Sequence, residues 1–180
     1  MKEIEKKEII DILKKDKEKL IPKNIKKRFF YFITKHNNYN IYKIIKTFRY
    51  YYYYKEKNNY IGMILWGNKK NKIMHKYNIE LPKKLGSGIT LPHRNCIINE
   101  FARIGDNCCF HGFNLVGNNG KNDKAPNIGK NVDIGAGAII IGDITIADNC
   151  KIGANALVNK SCLIENSVLI GVPAKMINKN

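Results

Sequence analysis

Over residues 1–76 the apolar side chains recur at the three- to four-residue spacing of helices, and from Asn78 onward they recur at every sixth residue instead. In the first stretch Ile4, Ile9, Ile10, Leu13 and Leu20 stand between lysines and glutamates, which predicts a helix over 1–20 closed by Pro22. A second helix is expected from about Lys23 to His36, with Ile25, Phe29, Phe30 and Ile33 on one face, before a break at Asn37, Asn38 and Asn40. A third runs from Ile41 to about Lys57, and a short fourth from Ile61 to His75. The Tyr50–Tyr54 run in the third reads as helix packing, suited to covering the end of another domain, rather than as a stacking platform for bases.

The six-residue phase passes through Ile98, Ile104, Phe110 and Val116, and then through Ile128, Ile134, Ile140, Ile146, Ile152, Val158, Ile164 and Ile170 without a slip. Four residues after these the side chain is small or aliphatic, as at Ala102, Cys108, Val132, Ala138, Cys150, Ala156 and Val168. One residue after them Gly is frequent, as at Gly105, Gly129, Gly135 and Gly153. A fixed short period is the mark of a stacked architecture. Each six-residue side turns a large aliphatic inward, a small residue inward near the corner, and places Gly or Asn where the backbone bends. Three such sides make one triangular coil, and coils stack at the parallel-strand spacing of about 4.8 Å. The fold class expected is therefore mainly β, a parallel β-helix over 77–177 with a helical N-terminal domain over 1–76. Residues 118–127, NNGKNDKAPN, are too polar for a wall and are expected to protrude as a loop. The spacing itself leaves the hand of the coil open.

Charge changes this picture little. The net charge of +17 sits mostly in the helical part, where twenty-one basic residues face seven acidic ones; residues 77–180 hold eleven against eight. That part is also rich in Asn, Ile and Tyr, so the excess reads as a solvated basic surface and no nucleic-acid partner is expected. No apolar run approaches the roughly 18 residues that span a bilayer, so no membrane insertion is expected. The start alternates charges with aliphatics, unlike a secretory signal, and the cytoplasm is the expected compartment. Five cysteines, an odd number without CxxC spacing, argue against a disulfide framework or a zinc knuckle.

One place breaks the phase. Leu85 to Leu91 is a step of six, but Leu91 to Ile98 is a step of seven, so a residue bulges out beside Pro92-His93-Arg94-Asn95. A bulge weakens a regular wall unless it re-aims a side chain. An imidazole titrating near neutrality is suited to general-base work, which makes His93 the leading candidate. His36 and His75 fall in the helices and read as surface or packing residues. His111 follows inward Phe110 on the outside of a corner, either lining a groove between subunits or simply exposed.

The segments HRNCIINEFARIGDNCCFHGFNLVGNNGK, APNIGKNVDIGAGAIIIGDITIADNCKIGANALV and VLIGVPAKMI resemble the serine acetyltransferase group of hexapeptide acyltransferases. The resemblance covers about residues 78–177 and is nearest to short-headed members, some of which sit in polysaccharide-synthesis pathways. It implies a left-handed coil and acetyl-CoA-dependent O-acetyl transfer to an acceptor hydroxyl, with serine as the family default and a sugar hydroxyl as the alternative. It also implies a homotrimer with acetyl-CoA in the groove between neighbouring prisms. The head is shorter than the one that pairs trimers into hexamers in the family.

By the same resemblance His93 matches the family's general base. The carboxylate that orients it is Glu80 if two residues are deleted before Lys83, or is replaced by Asn78 without that gap; Pro92 stands where the family has a second acid. Gly117, Asn118, Ala136, Ala154 and Lys175 match the positions that bind CoA. Lys124-Ala125-Pro126 stands where the family carries an Arg-His pair before the proline, so Lys124, together with His111, is a candidate for binding the acceptor. A γ-type carbonic anhydrase shares the prism but needs three histidines around its metal; His93 and His111 do not supply them, Cys108, Cys150 and Cys162 point inward, and no metal is expected. Cys96, three residues from His93, is an alternative nucleophile, although a small filler beside the bulge and direct attack by the acceptor are preferred. A non-catalytic scaffold is the remaining alternative.

Overall fold

The computed structural model describes residues 6–34, 36–120 and 123–177, in two compact units, Met1–Lys76 and Tyr77–Asn180. The first unit holds α1 (Lys6–Leu20), α2 (Ile25–Ile33), α3 (Asn37–Glu56) and most of α4 (Tyr60–Tyr77). Ile4, placed in the first helix by its spacing, lies outside the described residues. Helix α1 buries Ile9, Leu13 and Leu20 and packs on α3, while Ile10 remains half exposed. Between the two helices the carboxylate of Asp16, fully buried, accepts hydrogen bonds from Arg49 Nε at 2.7 Å and Nη2 at 3.2 Å. Such a buried pair fixes how the helices meet, and removing one partner strands the other charge.

One expectation for this unit fails. The asparagines after His36 do not break the chain: α3 starts at Asn37, and the His36 side chain caps it by accepting the Asn38 N–H at 3.3 Å. Asparagine is a weak helix former, yet it is tolerated in a first turn where backbone donors need outside acceptors anyway. The apolar face of α2 is largely exposed. Ile25, Phe29, Phe30 and Ile33 are all more than half exposed, because α1 and α3 already fill the core between them. The tyrosine run does pack: Tyr52 is buried, Tyr50 stacks on Trp66 at 4.5 Å, and the Tyr54 ring occupies the space a side chain at Gly62 would need.

The second unit is a left-handed parallel β-helix of three faces. The first face stacks β1 (Ile79–Glu80), β3 (Cys96–Ile98), β6 (Asn114–Gly117), β9 (Ile139–Ile141) and β12 (Leu157–Val158). The second stacks β2 (Lys84–Leu85), β4 (Arg103–Ile104), β7 (Asn127–Ile128) and β10 (Thr145–Ile146). The third stacks β5 (Cys109–Phe110), β8 (Asp133–Ile134), β11 (Lys151–Ile152), β13 (Val168–Gly171) and β14 (Ala174–Ile177), with only β14 antiparallel. Phe110, Ile128, Ile134, Ile140 and Ile146 line the axis, each essentially inaccessible to solvent. The six-residue period is thus the side of a triangle.

Two kinds of corner residue do different work. Three places after the inward aliphatic the backbone is left-handed, with φ between 55° and 60° at Asn107, Asn131, Asn149 and Asn155. Asparagine tolerates that conformation better than other non-glycine residues. One place after it, glycine answers to crowding: a Cβ on Gly105 or Gly135 would lie 2.5 Å from the backbone of the next coil.

The phase does slip at the end. Asp133 pairs with Lys151, eighteen residues on, but Lys151 pairs with Val168, seventeen on, and Ile146 with Cys162, sixteen on. Leu169, not Ile170, is therefore the buried residue, and Ile164 and Ile170 are exposed. Beyond β13 the chain turns at the cis Val172–Pro173 bond and folds back antiparallel as β14 rather than stacking another parallel side on it.

This assignment predicts a graded stability map. Ile134→Ala should lower unfolding free energy by about 2–5 kcal/mol, as other buried large-to-small changes do, whereas Lys130→Ala and Ile164→Ala should each change it by less than about 0.5 kcal/mol. Urea unfolding followed by circular dichroism measures all three.

Candidate functional site

His93 stands on an exposed bulge at the corner between the third and first faces. Thr90 pairs with Cys109 and Ile97 with Leu115, so the His93 strand spends seven residues where the next coil spends six. Room for the bulge comes from Gly112 in that next coil. It has φ +100°, and a Cβ there would stand 2.6 Å from the His93 Cβ. Arg94 beside it lies over the Tyr77 ring at 4.7 Å.

Neither candidate for orienting His93 reaches it. Asn78 Nδ2 donates to Asn95 Oδ1 at 3.2 Å, an amide step that links the two coils at this corner. Glu80 pairs in register with Ile97, further along the first face. It lies in a shallow groove of about 360 Å³ with Asn99, Glu100, Gly117, Asn118 and Ile141. Among the described residues no carboxylate hydrogen-bonds the His93 imidazole.

The positions matched to CoA binding fall on two edges of the first face. On the His93 edge the corners are small: Gly112, then Ala136 and Gly137, then Ala154, joined by Gly137 N–H to Gly112 O at 3.0 Å and Asn155 N–H to Ala136 O at 2.9 Å. Both alanines are exposed. Gly117 and Asn118 lie on the opposite edge, where Gly142 N–H donates to Gly117 O at 3.0 Å. Lys175 projects from exposed β14. Between the edges the first face turns Ile97, Leu115, Ile139, Ile141 and Leu157 outward, none of them fully buried.

Lys124 is engaged inside the chain. Its Nζ lies 2.8 Å from Asp143 Oδ2, and that hydrogen bond and charge raise its pKa. His111 is engaged too: Nε2 lies 2.7 Å from Asp133 Oδ1 and 3.6 Å from Cys109 Sγ, on the outer surface of the third face. The sequence reading missed Asp133, Asp143 and Cys109. Cys109 and Asp133 do share a phase, each one residue before an inward position, and that phase points outward.

The other thiols are core residues. Burial pushes the Cys96 pKa up to about 12 and that of Cys108 to about 11, and Cys150 and Cys162 are also buried. Cys96 is thus a filler, because the reactive form of a thiol is the thiolate.

Residues 125–160 match the family model described as bacterial transferase hexapeptide (six repeats). Over 100 residues the chain is 39% identical to a serine acetyltransferase of Helicobacter pylori, covering 54% of this chain and 58% of the relative. It is 42% identical to that of Buchnera aphidicola, covering 53% and 38%. Over this stretch the coil is similar to those of serine acetyltransferases. A serine acetyltransferase solved in complex with CoA superposes with TM-score 0.76 at 24% identity, covering 96% of this chain and 71% of the other. The soybean enzyme complexed with serine gives 0.71 at 23% identity, covering 94% and 68%. The chain spans less than two thirds of the length of the curated relatives it matches.

Thiol chemistry offers a direct check on this layout. In the native protein Cys109 should react with a thiol-directed reagent well before the other four cysteines, and Cys109→Ser should remove the fast phase. A fast phase that persists in that variant contradicts the burial pattern.

Proposed function

We propose that the protein is an acetyl-CoA-dependent O-acetyltransferase with His93 as its general base. The observation that carries this reading is the exposed histidine on a one-residue bulge, at the end of an edge whose corners are Gly112, Ala136, Gly137 and Ala154. Small corners, exposed at Ala136 and Ala154, beside an apolar face suit the slender pantetheine arm, so the residues present fit acetyl-CoA. That co-substrate supplies an acetyl group activated as a thioester. The acceptor oxygen attacks the thioester carbonyl carbon, its proton passes to His93, and the carbon–sulfur bond breaks to release CoA, which takes a proton as the thiol. Relatives bearing the name serine acetyltransferase, and solved structures holding CoA or serine, support this reaction class.

We infer a homotrimer from the outward apolar side chains of the first face, since a contiguous apolar surface marks an association site. The His93 edge and the Gly117–Asn118 edge flank that face on opposite sides. Packing of copies would set one chain's histidine beside its neighbour's Gly117, Asn118 and Lys124, and Glu80 would serve the neighbour's site rather than its own.

Serine is the default acceptor, and a sugar hydroxyl of the kind met in polysaccharide synthesis is the second reading. What favours the second is the Lys124–Asp143 pair, which already uses the cation that would meet an amino-acid carboxylate. A cytoplasmic setting suits either acceptor.

Release of CoA from acetyl-CoA, assayed with serine and a panel of sugars, tests the reading. His93→Ala should lower kcat/KM by about 10²- to 10⁴-fold, while Cys96→Ala should stay within a few-fold of the parent. Full activity in the first variant removes His93 from the mechanism. Absence of thioester loss with every acceptor favours a non-catalytic scaffold.

A further inference from the structure

Cys109, His111 and Asp133 form a cluster to which the proposed proton transfer through His93 assigns no role. Their donor atoms, Sγ, Nε2 and a carboxylate oxygen, all lie within 4.8 Å of one another. The cysteine and the histidine come from one coil and the aspartate from the next, where Asp133 is the register partner of Cys109. His111 and Asp133 are each a little under half exposed, so an ion has access from solvent. The other four cysteines fill the core, but Cys109 turns outward in a row that runs Thr90, Cys109, Asp133, Lys151 across the third face.

We propose that Cys109, His111 and Asp133 bind a divalent transition-metal ion of the zinc class, with water completing a tetrahedral shell. Donor chemistry favours this class: one thiolate, one imidazole and one carboxylate suit a borderline cation and poorly suit magnesium or calcium, which take oxygen ligands. The two anionic donors balance the charge of the ion. Geometry agrees. Zinc bonds of about 2.3 Å to sulfur and 2.05 Å to nitrogen, at a tetrahedral angle, place those two atoms about 3.6 Å apart, and Sγ and Nε2 stand at 3.6 Å. Nitrogen and oxygen would stand about 3.4 Å apart around the same ion, so the 2.7 Å His111–Asp133 hydrogen bond must open as the ion replaces the proton between them. Both side chains are on the surface and can make that movement. Binding releases the thiol proton and leaves the imidazole proton on Nδ1, facing away from the ion.

The site departs from the sequence reading, which expects no metal, and it stands independently of the proposed reaction. It also lies next to it: His111 is joined directly to Gly112, the residue that makes room for His93.

The test uses the full chain, freed of metal by a chelator and held reduced. Titration with Co²⁺ should give a near-ultraviolet thiolate-to-metal absorption that saturates at about one ion per chain and disappears when Zn²⁺ is added. Cys109→Ser should abolish the absorption, and His111→Ala and Asp133→Asn should each weaken Zn²⁺ binding about tenfold or more. All three positions are on the surface, and thermal unfolding confirms that each variant is folded. No saturable binding at micromolar metal, or binding and absorption unchanged in Cys109→Ser, overturns the proposal. Binding lost in Cys109→Ser but unchanged in both other variants also overturns it, because it leaves a bare thiol and no three-residue site.

Discussion

A coil of this prism buries its inward side chains only against the coils above and below it, and those coils must meet at strand-pairing distance. Most of the local sequence answers to that constraint. Inward positions take Ile because a branched aliphatic fills the axis; the place after them takes Gly where a Cβ would strike the next coil's backbone; the left-handed corner takes Asn. Function inherits the result. Corners kept small for stacking are corners along which a thin ligand can lie, and the bulge that exposes His93 exists because Gly112 above it has neither side chain nor conformational penalty.

The inward rows are nearly uniform, so the three faces differ only in what they turn outward. The first turns out Ile97, Leu115, Ile139 and Leu157, the second Lys84, Arg103, Asn127 and Thr145, and the third Thr90, Cys109, Asp133 and Lys151. Alternation along a strand separates these choices from the core. One prism can therefore carry an apolar face, a solvated one and a polar cluster without altering its packing.

This separation explains how much could be read from the chain. Strict periodicity made the coil legible, and a single extra residue between Leu91 and Ile98 marked the bulge that carries His93. The end of the coil was not legible: Ile164 and Ile170 keep the six-residue spacing, but the last turns shorten to seventeen and sixteen residues and the chain folds back as β14, leaving both exposed. Helix positions were visible in the first unit, whereas the Asp16–Arg49 pair spans 33 residues and leaves no local pattern. The same holds for His111–Asp133 and Lys124–Asp143, whose partners meet only once the register of the stack is known.

The register also bears on acceptor choice. An acceptor carboxylate arriving at Lys124 must displace Asp143, and an ammonium lacks the planar fork that grips a carboxylate through two parallel bonds. With Ala125 beside it, the pair offers one mobile cation, already partnered, in place of a guanidinium and an imidazole. A neutral hydroxyl compound asks nothing of that cation. Its selection rests on hydrogen-bonding groups that its hydroxyls satisfy, and a site built in that way rejects compounds that leave those groups unpaired. Glu80, Asn99, Glu100 and Asn118 offer such groups in the groove along the first face, and carboxylates and amides are the side chains that pair with sugar hydroxyls. Two acids among them oppose an anionic acceptor more than they oppose a neutral one.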